Sequence, residues 1–300
     1  MIVAKLMGGL GNQMFQYATG RSLSEKYGWP LLLDIEWYRH QELRRYNLDC
    51  FNIRENLFTN FHKSKFNNYG FNKSEICITK ILRKVGLSGF ANFFNEKSLV
   101  ITEKNEDFIL NPKISEFDSV YLTGDLQNHK YFDEISNILL LEFTPRYQPN
   151  VEFKSNINKL QNTNSVSIHF RFGDYLHDVI TSKTHGVLDI EYYKKGIDYI
   201  KSKIKDPVFY VFSDDVIKAK EFMDSSGTNY EMLSTNKAFL AFEDLTLMSK
   251  CKHNIIANST FSWWSAWLNY NDSKIIVSPK NWFKKTKINP NLIPPSWIQI

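Results

Sequence analysis

From residue 165 onward the sequence repeats one pattern: a short run of β-branched and aromatic residues, a polar cluster, then a helix-length stretch. Val166 and Ile168 alternate with Ser165 and Ser167, the period of a strand, and the run leads into His169, Arg171, Gly173 and Asp174. A loop with His177 and His185 follows, then a helix around Tyr192 to Ile204. Pro207 opens a strand, Val208 to Phe212, that ends in Ser213-Asp214-Asp215. A helix is predicted from about Val216 to Met223, a short strand over Tyr230 to Leu233 and a helix over Phe239 to Ser249. His253 to Ala257 reads as a strand ending in Asn258-Ser259-Thr260. Ser259 or Thr260 is expected to cap a helix from Phe261 to Asn269, and Lys274 to Ser278 reads as a last strand. Strands alternating with helices of this length predict an α/β fold with a parallel sheet covered on both faces.

Parallel strands all end on the same edge of their sheet, so the clusters at 169–174, 213–215 and 258–260 converge. Open α/β sheets bind ligands at that edge. The residue types suggest a sugar nucleotide. Arg171 is permanently charged and forks onto phosphate. Ser259 and Thr260 open a helix, where N–H groups and the dipole favour an anion, or they are only an N-cap. Asp214 or Asp215 can accept the paired N1–H and N2–H of a guanine edge, or they are a cap and a surface charge. No GxxxxGK[ST] or GxSxG occurs, so a P-loop nucleotide site and a nucleophile elbow are unsupported. Trp263, Trp264 and Trp267, spaced along one helix, fit a core better than a sugar platform.

The first half opens with a second βα unit. Ile2 to Leu6 reads as a strand, Gly8, Gly9 and Gly11 as a tight turn, and Asn12 as the cap of the next helix. Gly28 stands where that helix should end, and Leu31 to Leu33 form a buried strand ending at Asp34. A dinucleotide fingerprint needs a third glycine where Met14 stands. The better reading is generic: Gly9, Gly11, Asn12 and Gln13 form a phosphate-side or acceptor-side loop at a helix N-terminus. From Trp37 to about Ser115 the pattern weakens into an irregular insertion, either shaping a cleft or elaborating the surface. Ser119 to Leu122 reads as a strand and Asp133 to about Leu141 as a helix. Thr144, Pro145 and Pro149 read as a linker. Two domains are therefore expected, 1–150 and 151–300.

The 300 residues, 43% apolar and 23% charged, have the make-up of a globular protein. A net charge of +5 suits an anionic ligand but is too mild and dispersed for nucleic acid. Cys50, Cys77 and Cys251 have no metal-ligand or disulfide-framework spacing. With no signal-like or membrane-spanning run, the expectation is a cytoplasmic protein. Trp282, Phe283, Lys284, Lys285 and Lys287 form an aromatic-basic patch, suited to peripheral contact with the inner face of a membrane or to a solvated loop.

Four stretches then carry a resemblance: GGLGNQMFQYATGRSL from Gly8, YLTGDLQNHKYF from Tyr121, SIHFRFGDYL from Ser167, and the pair FYVFSDD and NSTFSWWSAWL from Phe209 and Asn258. The chain resembles the bacterial α-1,2-fucosyltransferases of glycosyltransferase family 11. That resemblance implies a GT-B-like pair of Rossmann-type domains with parallel sheets facing a cleft. The C-terminal domain would bind GDP-β-L-fucose and the N-terminal domain would shape the acceptor site. It implies inverting transfer of fucose, without a metal or other cofactor, to the 2-hydroxyl of a galactose-terminated acceptor. The setting would be a surface glycan such as O-antigen, with the acceptor lipid-linked. His169 and Arg171 would contact the nucleotide and diphosphate, the Ser213-Asp214-Asp215 acids the guanine, and Asn258-Ser259-Thr260 the diphosphate. The usual motif reads HxRRGDY, and Phe172 stands at the second arginine.

The mechanism expected on this basis is a single displacement, with Arg171 stabilising the leaving diphosphate. Asp174 is the first candidate base and His177 the second; Asp174 alternatively orients Arg171. The competing expectation is a non-catalytic nucleotide-sugar or glycan-binding module on the same fold.

Overall fold

The computed structural model describes residues 1–59, 98–102, 112–147, 150–172, 188–234, 241–283 and 291–300. The chain divides into two units, Met1–Asp49 with Ile53–Glu142, and Cys50–Asn52 with Phe143–Ile300.

In the first unit, strand β1 (Ile2–Lys5) leads through a glycine turn into helix α1 (Leu10–Tyr27) and strand β2 (Leu31–Asp34). Strands β3 (Ser98–Ile101) and β4 (Ser119–Leu122) follow, then helix α2 (Ser136–Glu142). The four strands pair in the order β2-β1-β4-β3, all in parallel. β3 lies in the stretch read as irregular; its SLVI is short and has no clear alternation, so only pairing with β4 reveals it. Helix α1 lies close on this sheet. A Cβ on Gly20 would stand 2.8 Å from Leu31 and 3.1 Å from Ala4. Its buried polar face is tied to α2: Tyr17 Oη donates to Glu142 at 2.7 Å and Arg21 Nε at 2.9 Å.

The second unit contains helix α3 (Val151–Gln161), strand β5 (Ser165–Phe170), helix α4 (Ile190–Lys203) and strand β6 (Val208–Ser213). Helix α5 (Val216–Ser225), strand β7 (Tyr230–Met232), helix α6 (Ala241–Lys250) and strand β8 (His253–Ile255) come next. Helix α7 (Thr260–Trp267) and strands β9 (Ile276–Ser278) and β10 (Ile298–Gln299) complete it. The sheet order is β10-β9-β8-β5-β6-β7, again all parallel. Val166, Ile168 and Phe170 enter one core with Tyr193, Ile197 and Phe222 from α4 and α5. Tyr210 and Phe212 enter another with Phe153 from α3 and Leu247 and Met248 from α6. The sheet is thus buried on both faces, as continuous apolar strands require.

The structure departs from expectation at the boundary, the linker and the aromatic-basic patch. The boundary read near residue 150 falls earlier, after Glu142. The supposed linker is paired: Asn52 N donates to Thr144 O at 3.0 Å and Arg146 N to Cys50 O at 2.8 Å. The C-terminal tail adds an edge strand through Ile298 and Gln299. Trp282 is buried, with 1% of its surface exposed, so it forms no surface patch with its basic neighbours; Lys284, Lys285 and Lys287 lie outside the described residues. Among the described residues no helix is long and apolar enough to cross a membrane.

Candidate active site

The sheet order puts β5 between β8 and β6, so the three polar clusters sit on neighbouring strand ends. β5 carries His169 as its penultimate residue and continues through Phe170 to Arg171 and Phe172. Gly173, Asp174, His177 and His185 lie outside the described residues.

Arg171 Nη1 meets Asp214 Oδ2 at 2.9 Å, with the two side chains 23% and 22% exposed. The other oxygen of Asp214 accepts the Phe172 N–H at 2.8 Å. Asp214 therefore ties the exit of β6 to the exit of β5. Phe172 itself turns away from charge chemistry. Its ring stacks on Phe170 at 5.8 Å with 6° between planes and packs against the α4–α5 side of the core.

His169 is buried, and its Nδ1 has no hydrogen-bond partner among the described residues. Burial pushes its pKa down to about 4, with Asp214 opposing the shift and the Arg171 charge adding to it. The imidazole is therefore neutral at pH 7, with one N–H donor and one acceptor. Its ring lies 5.5 Å from Phe261 in the first turn of α7, and Tyr193 Oη donates to its backbone carbonyl at 3.2 Å. An unpaired buried polar atom costs about 1–3 kcal/mol, and His169 Nδ1 is one of five such side-chain atoms among the described residues.

Asp215 is explained locally. It caps α5, accepting the Lys218 N–H at 3.1 Å and pairing with Lys218 Nζ at 3.1 Å. The Lys218 backbone bond is the main reason its pKa is lowered. Ser213 Oγ accepts the Asp215 N–H and donates to the Asp215 carbonyl, both at 3.0 Å. These two residues shape the turn, whereas Asp214 faces the strand end. One more acid reaches this edge: Ser234 Oγ donates to Ser213 O at 2.9 Å and to Asp244 Oδ2 at 2.8 Å. Asp244 sits in the first turn of α6, and the sequence pattern does not single it out because it reads as an ordinary helix-start acid.

At the third strand end, Ser259 is the N-cap of α7, but its side chain makes no capping bond. Ser259 and Thr260 are half-exposed, so the start of this helix faces outward with a donor-rich turn. Asn258 is buried and holds the chain in place, its Nδ2 donating to Trp282 O at 3.2 Å. The tryptophans form core: Trp263 and Trp264 are fully buried, and Trp263 Nε1 donates to Leu292 O at 2.8 Å.

In the first unit the glycine turn lies at the carboxyl edge of its sheet. Gly8 takes φ +79°, and a Cβ there would come within 2.8 Å of Asn12. The helix begins at Leu10 with Gly9 as N-cap, so Asn12 is inside the first turn and is not the cap. Gly9 and Gly11 remain at this turn. Gln13 is fully buried: its amide donates to Arg45 O at 2.9 Å and Gly8 O at 3.2 Å, and its oxygen accepts from Asn47 N at 2.9 Å. It thereby positions the loop that carries Arg44 to the glycine turn, where a Cβ on Gly9 would stand 3.8 Å from Arg44 Nη1. The basic pair Arg44-Arg45 is a signal present in the sequence that its weak local pattern conceals. Asp34 is consumed internally, accepting from Tyr121 Oη at 2.7 Å and Glu36 N at 2.9 Å. A cleft of about 420 Å³ at the opposite, amino edge of this sheet is lined by Arg21, Glu25, Trp29 and Arg54. None of the expected site residues lines it.

Among the described residues, no three His, Cys, Asp or Glu side chains group as metal ligands. The two described cysteines, Cys50 and Cys251, are free and buried.

The family model described as Glycosyl transferase family 11 matches residues 1–300. The chain belongs to glycosyltransferase family 11. It is therefore a glycosyltransferase of α/β, GT-B-like class, with two Rossmann-type parallel sheets. It is 35% identical over 305 residues to an alpha-1,2-colitosyltransferase of Escherichia coli, covering 100% of this chain and 99% of that one. It is 34% identical to the O-antigen biosynthesis glycosyltransferase WbnK of Escherichia coli, covering 98% and 99%. The structure of an Arabidopsis thaliana FUT1 variant in complex with GDP shares the fold. Its TM-score is 0.52 at 13% identity, over 92% of this chain and 69% of that one.

Proposed function

We propose that this glycosyltransferase moves L-fucose from GDP-β-L-fucose, with inversion, to the 2-hydroxyl of a terminal galactoside during assembly of a surface glycan such as O-antigen. The observation that carries this reading is the convergence of Arg171, His169, whose Nδ1 has no partner among the described residues, and the outward start of α7 on adjoining strand ends. A diphosphate needs such a set: a fixed cation and helix-terminal N–H groups.

The acceptor oxygen attacks the anomeric carbon, the new C–O bond forms as the bond to the β-phosphate oxygen breaks, and GDP leaves. Arg171 and the N–H groups of the first turn of α7 from Thr260 onward stabilise the charge growing on the leaving diphosphate, at about 3 kcal/mol per well-placed donor; Ser259 N itself donates to Ala257 O at 2.8 Å. The acceptor proton passes to Asp174, with His177 as second candidate. In this reading the arginine and the helix terminus supply the neutralisation, and no metal or cofactor takes part. The guanine edge goes to an acid at the β6 end, where Asp244, which accepts from Ser234 Oγ at 2.8 Å, joins the Asp214-Asp215 pair. The first unit, with Gly9, Gly11, Asn12 and Gln13 around its turn, takes the acceptor. That acceptor is lipid-linked at the inner membrane face, where the protein works as a peripheral cytoplasmic enzyme.

The colitosyltransferase relative supports a second donor reading, since colitose is fucose without its 3-hydroxyl. Incubation with lactose and either GDP-fucose or GDP-colitose, followed by mass spectrometry, decides between the two. A fucosylated trisaccharide with the 2-linkage supports the first. Product from GDP-colitose alone moves the donor, and donor binding with no product from either returns the protein to the non-catalytic class. Arg171→Ala should lower turnover at least about a hundredfold, roughly 2.7 kcal/mol; turnover within threefold of wild type removes Arg171 from the site.

A further inference from the structure

We infer that Asp214 is a positioning residue: its carboxylate holds the Arg171 side chain and the Phe172 backbone together, so that the guanidinium meets the diphosphate already oriented. The inference rests on the reading of Arg171 as the diphosphate ligand.

Both oxygens of Asp214 face the exit of the neighbouring strand. Oδ2 meets Arg171 Nη1 at 2.9 Å and Oδ1 accepts from Phe172 N at 2.8 Å. The two bonds reach consecutive residues far away in sequence and brace the point where β5 gives way to its loop. One lone pair on each oxygen is engaged by the β5 exit, which sets the orientation of the carboxylate. The pair is half-exposed, and such pairs contribute little to stability. Its value lies in order. An arginine side chain has many rotamers to lose, and a partner that fixes it beforehand spares that loss when substrate arrives. The same geometry gives Phe172 its place: its backbone N–H serves the clamp while its ring anchors in the core.

A double-mutant cycle tests this, because residues acting through one another are non-additive. Asp214→Asn keeps the shape and an acceptor for the Phe172 N–H while removing the charge. It should lower kcat at least about tenfold in the wild-type background. In the Arg171→Ala background it should change kcat less than about threefold. The donor KM should stay level or fall, because a negative charge beside the diphosphate has gone. Asp214→Glu, which keeps the charge, should recover part of the rate. Equal losses in both backgrounds overturn the inference, as does a loss of preference for GDP over ADP in binding, which marks a base-reading acid. Should Asp214→Asn fail to fold, Asp214→Ser is carried through the same cycle. A wild-type protein that neither binds GDP nor turns over defeats the reading of the site itself, whereas additive losses in an active enzyme defeat only the positioning role.

Discussion

Arg21 and Arg171 each meet a carboxylate at 2.9 Å, one in each unit of the molecule. Arg21 is 1% exposed and its partner Glu142 10%; Arg171 and Asp214 are 23% and 22% exposed. Around the first pair Glu142 also accepts from Tyr17 and Arg21 also pairs with Glu25, while Arg21 Nη2 has no hydrogen-bond partner among the described residues. The second stands at the exit of β5, the strand that carries His169, whose Nδ1 has no partner among the described residues, and β5 is paired with β8, the strand before α7. The same kind of pair ties two helices together deep in the first unit and two strand ends together at the rim of the second sheet. Burial separates the two settings, not the chemistry of the pair.

The largest expected effect tests the buried side. Glu142→Gln should cost about 3–5 kcal/mol in denaturant unfolding, because it strips Arg21 of a buried counter-charge. Asp214→Asn should cost less than about 1 kcal/mol. Comparable losses in the two variants would erase the distinction.

Next comes pH. His169 takes a proton in the unfolded chain near its ordinary 6.5 but in the folded protein only near 4. The unfolded state therefore binds more protons between those values, and stability falls as pH is lowered from about 6.5 towards 4. The full loss is on the order of 3 kcal/mol. Unfolding midpoints of wild type and His169→Gln should diverge across that window; parallel curves would show that the ring titrates normally.

A smaller effect separates the adjacent acids. Asp215→Ala should cost about 1 kcal/mol by removing the α5 cap, while GDP affinity by calorimetry stays within about threefold, roughly 0.7 kcal/mol. A tenfold drop would return Asp215 to the ligand. Smallest of all, Phe172→Arg should leave turnover within about threefold, roughly 0.7 kcal/mol. A large gain in rate would mean that the position faces the diphosphate after all.

Much of the second unit is legible in its sequence. The period of two from Ser165 to Ile168 marks β5, and the alternation of strands with helices implies the parallel sheet. Parallelism alone then places 169–171, 213–215 and 258–260 on one edge. Less legible are β3 and β10, whose four and two residues have too little local pattern and are defined by pairing with β4 and β9. The inward hydrogen bonds of Gln13 and Asn258 are not legible in the sequence, because polar residues beside a glycine turn or a helix start look alike whether they point outward or inward. The same limit hides Asp244, whose link to the β6 end runs through Ser234.

By itself the sequence determined which longer segments are strands and helices, their order, the edge on which the polar residues meet and the family whose motifs the chain carries. These follow from short-range periodicity and steric rules that each segment carries locally. Only the tertiary structure decided what each polar side chain does. Asp214 and Asp215 are identical neighbours in sequence, yet one faces the exit of β5 and the other the first turn of α5. Successive side chains leaving a strand point in opposite directions, and their partners lie 42 and 3 residues away. The long-range partner exists only once β5 and β6 are paired, so the role of Asp214 is a property of the sheet.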